Sequence, residues 1–260
     1  MFLSELVDGI EGLLDSKKSD PEIRRVIHDS REINEGDIFC CIKGELTDGH
    51  SYIQEAIDSG AAAVLAEEST AFHVPTFLVD DVRSVLPYVA SRIVGNPSKE
   101  LNVVGVTGTN GKTSVVSMLS EILHDYGVST ATIGTLTGVL TTPEAPELQR
   151  ELRKYCNNGV EVVAMEVSSH ALVQQRVEET YFSTVAFTNL SHDHLDFHGE
   201  MDAYYQAKGL LFNRNFSERA VIVIDQEYGR SYYEKAIADG MEVEALSLQK
   251  RNVLFDEKSS

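Results

Sequence analysis

Lys112 and Thr113 close the run V-V-G-V-T-G-T-N-G-K-T at residues 103–113. An apolar segment feeds a glycine turn, the turn ends in Lys-Thr, and a helical pattern follows at once. That order of parts builds a phosphate cradle. Backbone N–H groups from Gly108 through Thr109, Asn110 and Gly111 to Lys112 can point at phosphate oxygens. The new helix N-terminus adds the positive end of its dipole. Lys112 can reach outer phosphates, and the Thr113 hydroxyl can bind Mg2+. The expected ligands are therefore a nucleoside triphosphate and Mg2+. The spacing is unusual, because Val106 stands where the common pattern has a glycine five positions before Gly111. A glycine-rich turn with a chance lysine is the plain alternative, and the agreement of strand, loop, Lys-Thr and helix weighs against it.

Three further segments carry reactive side chains. V-V-A-M-E-V-S-S-H-A-L at 162–172 puts Glu166 at the end of a buried strand pattern. In a parallel sheet that edge binds ligands, so Glu166 either holds Mg2+ through its oxygens or faces water. F-T-N-L-S-H-D-H-L-D-F-H-G at 187–199 holds three histidines and two aspartates. From the residues alone it is a metal-binding segment, zinc included, or a polar loop that satisfies its own backbone. Lys208, in D-A-Y-Y-Q-A-K-G-L-L-F, sits on a predicted helix, where a lone lysine is usually a solvated charge.

The elements that must position these groups read as follows. Short strands are expected at 24–28 and 36–42 around a turn, a helix at 52–59, and strands at 61–66 and 76–79. A helix capped by Asp81 should run to about residue 94, and G-N-P-S at 95–98 breaks the chain. That break sets a boundary between domains 1–96 and 97–260. In the second domain, strands are expected at 101–107, 129–133, 160–166, 182–188, 220–225 and 242–247. Helices are expected after the glycine loop and at 147–155, 202–212 and 227–239. Val115, Met118, Leu119, Ile122 and Tyr126 share one face of the first of these, which Gly127 closes. Alternating strands and helices predict an α/β fold with a mostly parallel sheet. The polar end at 256–260 is expected to fray.

Composition narrows the function classes. The 260 residues carry 41 acids against 22 bases, a net charge of −19, which argues against nucleic acid or an anionic membrane as partner. A phosphate-bearing ligand must then be held by local donors. No apolar run approaches a membrane span, and the acidic start M-F-L-S-E-L-V-D-G is unlike a signal peptide. Three cysteines, Cys40 and Cys41 adjacent, make no disulfide framework, which fits a cytoplasmic protein.

Taken together and in this order, T-G-T-N-G-K-T, M-E-V-S-S-H, F-T-N-L-S-H-D-H-L-D-F-H-G and Y-Y-Q-A-K-G-L-L-F resemble the ATP-binding domain of the Mur ligases. The shorter glycine loop also occurs in folylpolyglutamate synthases. H-D-S-R-E-I-N-E-G-D-I-F-C-C-I-K-G and D-G-H-S-Y-I-Q-E-A-I-D-S-G-A-A-A-V are similar to the family's UDP-sugar-binding domain. M-E-V-S-S-H and T-T-P-E favour the members that add the third residue of the peptidoglycan precursor peptide.

The resemblance implies roles, residue by residue. Lys112 and Thr113 would hold phosphates and Mg2+, and Glu166 and His194 would bind magnesium. Lys208 would be carbamylated by carbon dioxide and help hold a second metal. Ser30, Thr141, Thr142, Ser168, Gln174 and Arg176 would contact the UDP-MurNAc-dipeptide, with Ser30 and Arg31 at the uridine end. The implied reaction joins an amine to a carboxylate through an acyl phosphate. Its partners would be small molecules, UDP-MurNAc-L-Ala-D-Glu and a diamino acid (diaminopimelate or lysine), acting on a monomer. The chain is short for the family, whose third domain closes over ATP and selects the amino acid. That leaves a sister ligase with another acceptor, and a non-catalytic nucleotide- or UDP-sugar-binding module, as alternatives.

Overall fold

A computed structural model describes residues 1–15, 19–44, 47–69, 71–191 and 200–247. The chain divides into two compact units, Met1–Pro97 with Glu144–Arg153, and Ser98–Pro143 with Lys154–Ser260. Among the described residues no helix is long and apolar enough to cross a membrane.

The first unit is built on a five-stranded sheet. Its strands are β1 (Leu13–Leu14), β2 (Val26–Ile27), β3 (Ile38–Cys40), β4 (Ala63–Ala66) and β5 (Thr76–Leu78), in the order β1-β5-β4-β3-β2. Only the β1–β5 pair is antiparallel. The two segments expected around a turn, β2 and β3, therefore lie parallel, with the 3-10 helix Ser30–Glu32 inside the crossover. β3 and β4 are buried along their whole length, which explains their unbroken apolar runs. The layers are closed by α1 (Leu3–Leu6), α2 (Ile53–Asp58) and α3 (Val82–Ile93). Asp81 caps α3, its carboxylate accepting from Arg83 N at 2.9 Å. Cys40 and Cys41 are buried free thiols; burial pushes Cys40 well up and Cys41 to about 12, so neither forms a thiolate near neutrality.

The second unit holds a six-stranded, wholly parallel sheet. Its strands are β6 (Asn102–Thr107), β7 (Thr130–Ile133), β8 (Val162–Glu166), β9 (Thr184–Phe187), β10 (Arg219–Val223) and β11 (Glu242–Leu246). They run in the order β11-β10-β9-β6-β8-β7. The helices are α4 (Lys112–Asp125), α5 (Ala145–Asn157), α6 (Ser169–Val173), α7 (Met201–Gly209) and α8 (Glu227–Ala238). Chain order departs from β6 toward β7 on one side and then crosses to β9 on the other. β6 therefore ends at the topological switch point, where an open α/β sheet takes its ligand.

Two features differ from the sequence reading. Val116, not the five-residue stripe, is the buried residue of α4, packed with Val106 and Ala164 and flanked by Val115 and Leu119. Met118, Ile122 and Tyr126 are exposed, Tyr126 by 83%. Periodicity finds a stripe but does not say what covers it. The other is α5, whose residues up to Arg153 count with the first unit. There Arg150 donates to Val26 O at 3.1 Å, and Arg153 Nε donates to Val94 O at 2.7 Å. Nothing local in P-E-A-P-E-L-Q-R announces that partnership.

Candidate functional site

The glycine loop leaves β6 at Thr107 and turns on two residues that need glycine. Gly108 has φ +150°, and a Cβ there would lie 1.9 Å from Thr188 Oγ1. Gly111 has φ +85° and is the N-cap of α4. We expect Gly108→Ala to force the loop off the end of β9, cost about 1–3 kcal/mol of stability through overpacking, and abolish nucleotide binding. Thermal melts with and without Mg-ATP check both effects.

The loop is stitched to the segment after β9. Thr109 N donates to Asn189 O at 2.8 Å, and Asn110 N donates to Asn189 Oδ1 at 3.1 Å. Thr188 Oγ1 and Asn189 Nδ2 both donate to Asn110 O, at 2.7 and 3.0 Å. Thr109 Oγ1 accepts from Ser191 N at 3.0 Å and lies 3.2 Å from the Tyr204 hydroxyl. Two of the N–H groups expected to face phosphate are thus committed to Asn189. The first turn of α4, from Gly111 onward, keeps N–H groups with no intrahelical acceptor.

Two lysines meet at this loop. Lys112 Nζ donates to Gly108 O at 2.8 Å and to Thr109 O at 2.9 Å. Lys208 is not the solvated charge its helix position suggested. It is 1% exposed, donates to Gly108 O at 3.1 Å, and sits 4.4 Å from the centroid of the Tyr204 ring. α7 is buried here because its aromatic residues pack inward: Tyr205 stacks on Tyr232, which meets Phe187 edge-on.

Glu166 ends β8 beside β6, in register with Val106. It is 2% exposed, so the water-facing alternative does not hold. Its Oε2 accepts from the Thr113 hydroxyl at 2.9 Å, and its Oε1 accepts from Thr135 N at 2.9 Å. Gly134 makes room for it, since a Cβ there would stand 2.3 Å from Oε1. A buried carboxylate thus meets a hydroxyl at the mouth of the loop.

Five residues named from the resemblance cluster behind it. The Thr142 hydroxyl is buried, donating to Glu166 O at 2.9 Å and accepting from Ser168 N at 3.0 Å. Ser168 caps α6 through Ala171 N. Arg176 Nη1 donates to Thr142 O at 3.0 Å, and its Nη2 to Gln174 Oε1 at 2.5 Å. Thr141 Oγ1 lies 3.1 Å from Thr135 Oγ1 at the surface. His194 lies outside the described residues, as does most of the His-Asp segment that left zinc open. Among the described residues no group of three or more His, Cys, Asp or Glu side chains is placed to hold a metal. Thr135, Thr188, Asn189, Ser191 and Tyr204 were missed as site residues. The T-N-L-S run was the available signal for three of them.

In the first unit, Ser30 is buried and lines a cavity of about 530 Å3 with His28, Asp29, Arg31, Tyr52 and Arg83. Asp29 accepts from Arg31 N, and the Arg31 guanidinium holds the Asp29 carboxyl down at about 2. Asp29 is the group lowered, so its contribution is present above the unfolded value and lost only as pH falls toward 2. The Asp29–Arg31 pair therefore keeps its charges across the physiological range.

Comparison with known proteins agrees with this architecture. The family model "Mur ligase middle domain" matches residues 106–259, and "Mur ligase family, catalytic domain" matches 22–127. The chain is 39% identical over 96% of its length to a protein of Halalkalibacterium halodurans named UDP-N-acetylmuramoyl-L-alanyl-D-glutamate–2,6-diaminopimelate ligase, of which it covers 55%. A protein of the same name from Clostridioides difficile is 40% identical over 90% of this chain, which covers 50% of it. A solved structure described as that ligase superposes with a TM-score of 0.84 at 27% identity, over 97% of this chain and 53% of its own. The chain thus spans about half the length of the curated relatives it matches. With family models covering both units and the glycine loop, Glu166 and Lys208 assembled around one strand end, the chain belongs to the Mur ligase family.

Proposed function

We propose that this chain supplies the UDP-sugar-binding and ATP-binding parts of an ATP-dependent, amide-forming ligase of the cytoplasm. Residues 1–96 act as the UDP-MurNAc-binding domain and 97–260 as the central ATP-binding domain. The complete enzyme adds a diamino acid, diaminopimelate by the names of the relatives, to UDP-MurNAc-L-Ala-D-Glu. The single observation that carries this reading is Glu166 held on the Thr113 hydroxyl at the end of a phosphate-type loop.

The residues fit Mg2+. A threonine hydroxyl and a carboxylate are hard oxygen donors of the kind this ion selects. Thr113 and Glu166 would hold one ion, and His194 and a carbamylated Lys208 would complete the metal set. Mg2+ would lower the repulsion between phosphate and an approaching carboxylate.

The protein's own part is to bind and orient. Lys112 leaves the carbonyls of Gly108 and Thr109 and moves onto the outer phosphates of ATP. The first-turn N–H groups of α4 take the remaining oxygens. The substrate carboxylate attacks the γ-phosphorus, ADP leaves, and an acyl phosphate forms. The amine of the incoming amino acid attacks that carbonyl, and inorganic phosphate leaves with the bond pair. Thr142, Ser168, Gln174 and Arg176 keep the strand end rigid and present donors to the dipeptide; Ser30 binds at the uridine end. Catalysis of this kind is positioning and electrostatics.

Mg-ATP and UDP-MurNAc-L-Ala-D-Glu are each expected to bind this chain in calorimetry, ATP only when Mg2+ is present. Absence of both affinities rules the reading out. Lys208 tests the metal arrangement separately: in bicarbonate buffer, carbon-13 NMR should show one carbamate signal that Lys208→Arg removes. A bare amine at Lys208 under carbon dioxide would remove the second metal from the proposal.

A further inference from the structure

Thr107, the last residue of β6, is 0% exposed, and its hydroxyl has no hydrogen-bond partner among the described residues. It stands directly before the loop. Val106 faces α4, packed on Val116 and Ala164. Alternation along the strand sends the Thr107 side chain to the opposite face, the one Gly105 shares with Phe182 and Val167. The two nearest carbonyls are engaged. Thr107 O accepts from Thr188 N at 3.1 Å, and the next carbonyl, Gly108 O, accepts from both Lys112 and Lys208.

A buried hydroxyl without a partner destabilises the state that contains it, and valine would fill the same volume without that cost. The hydroxyl therefore contributes in some other state. On the nucleotide-binding reading the neighbouring loop has one, in which Lys112 turns its ammonium from the carbonyls of Gly108 and Thr109 to a phosphate. We infer that Thr107 is a positioning residue of the nucleotide loop, its hydroxyl unpaired while the loop is empty and hydrogen-bonded once bound triphosphate draws Lys112 away. This rests on the nucleotide-binding reading above and adds to it the strand-end residue from which the loop springs.

The test compares wild type, Thr107→Val and Thr107→Ser by thermal unfolding and by calorimetric titration with Mg-ATP. Thr107→Val should melt at the same or a higher temperature than wild type without nucleotide. It should bind Mg-ATP about tenfold more weakly, the worth of one buried hydrogen bond, and show a smaller ATP-induced rise in melting temperature. Thr107→Ser should restore affinity to near the wild-type value. A Thr107→Val protein that melts lower without nucleotide has lost a resting-state partner, and the inference fails. Wild-type affinity in Thr107→Val also overturns it, leaving the nucleotide reading intact. No Mg-ATP affinity in wild type overturns both.

Discussion

Lys112→Met should weaken Mg-ATP binding by about 30- to 1,000-fold, the roughly 2–4 kcal/mol expected when one member of a close charge pair is removed. The melting temperature without nucleotide should change little. In the empty loop the Lys112 ammonium rests on two backbone carbonyls at a partly open position, and Lys208 still donates to one of them. Methionine keeps the length of the stem and its packing. The separation of effects matters, because a loss of affinity accompanied by a large drop in melting temperature would indicate a collapsed loop. Titration calorimetry with Mg-ATP, set beside thermal melts of the same samples, checks both halves.

Glu166→Gln should remove the magnesium dependence of ATP binding and also destabilise the protein. The carboxylate now accepts from Thr113 Oγ1 and Thr135 N. The amide can keep its oxygen on Thr135 N and turn its NH2 to Thr113 Oγ1, which must then accept, so two hydrogen bonds to a carboxylate become weaker neutral ones in a site 2% exposed. Hydrogen bonds to charged groups are worth about 1.5–3 kcal/mol, the loss of stability that denaturant melts should show. Titrating Mg2+ at fixed ATP checks the metal dependence. Undiminished magnesium dependence in Glu166→Gln would take Glu166 out of the proposed metal set. Gly134→Ala makes a useful companion, since it presses on the same carboxylate without changing its charge.

Most elements of both units were legible in the sequence because their signals are local. β6, the glycine loop and α4 are consecutive, and each supplies what the next requires. The Asp81 cap and the stops at Gly95 and Gly127 are set within a few residues. Buried strands such as β4 and β8 announce themselves by apolar runs, since a parallel sheet covered on both faces admits little else. Short elements were harder. β1 is two residues of an antiparallel edge, and α6 is five residues with a serine cap, too little chain for a period to show.

The residues alone therefore settled the chemistry on offer at the loop: a lysine, a hydroxyl and main-chain amides at the head of a helix, with acids elsewhere awaiting partners. Which acid meets which hydroxyl was decided only by the strand order β8-β6-β9, which brings Glu166 to Thr113 and Asn189 to Thr109 across gaps of 53 and about 80 residues. The same packing turned Lys208 from an expected surface charge into a buried lysine and left the Thr107 hydroxyl without a partner among the described residues. It also assigned the start of α5 to the first unit. The physical reason is one of range. Propensity, capping and turn chemistry act over a handful of residues, whereas burial and pairing are properties of groups that the chain joins only after it has folded.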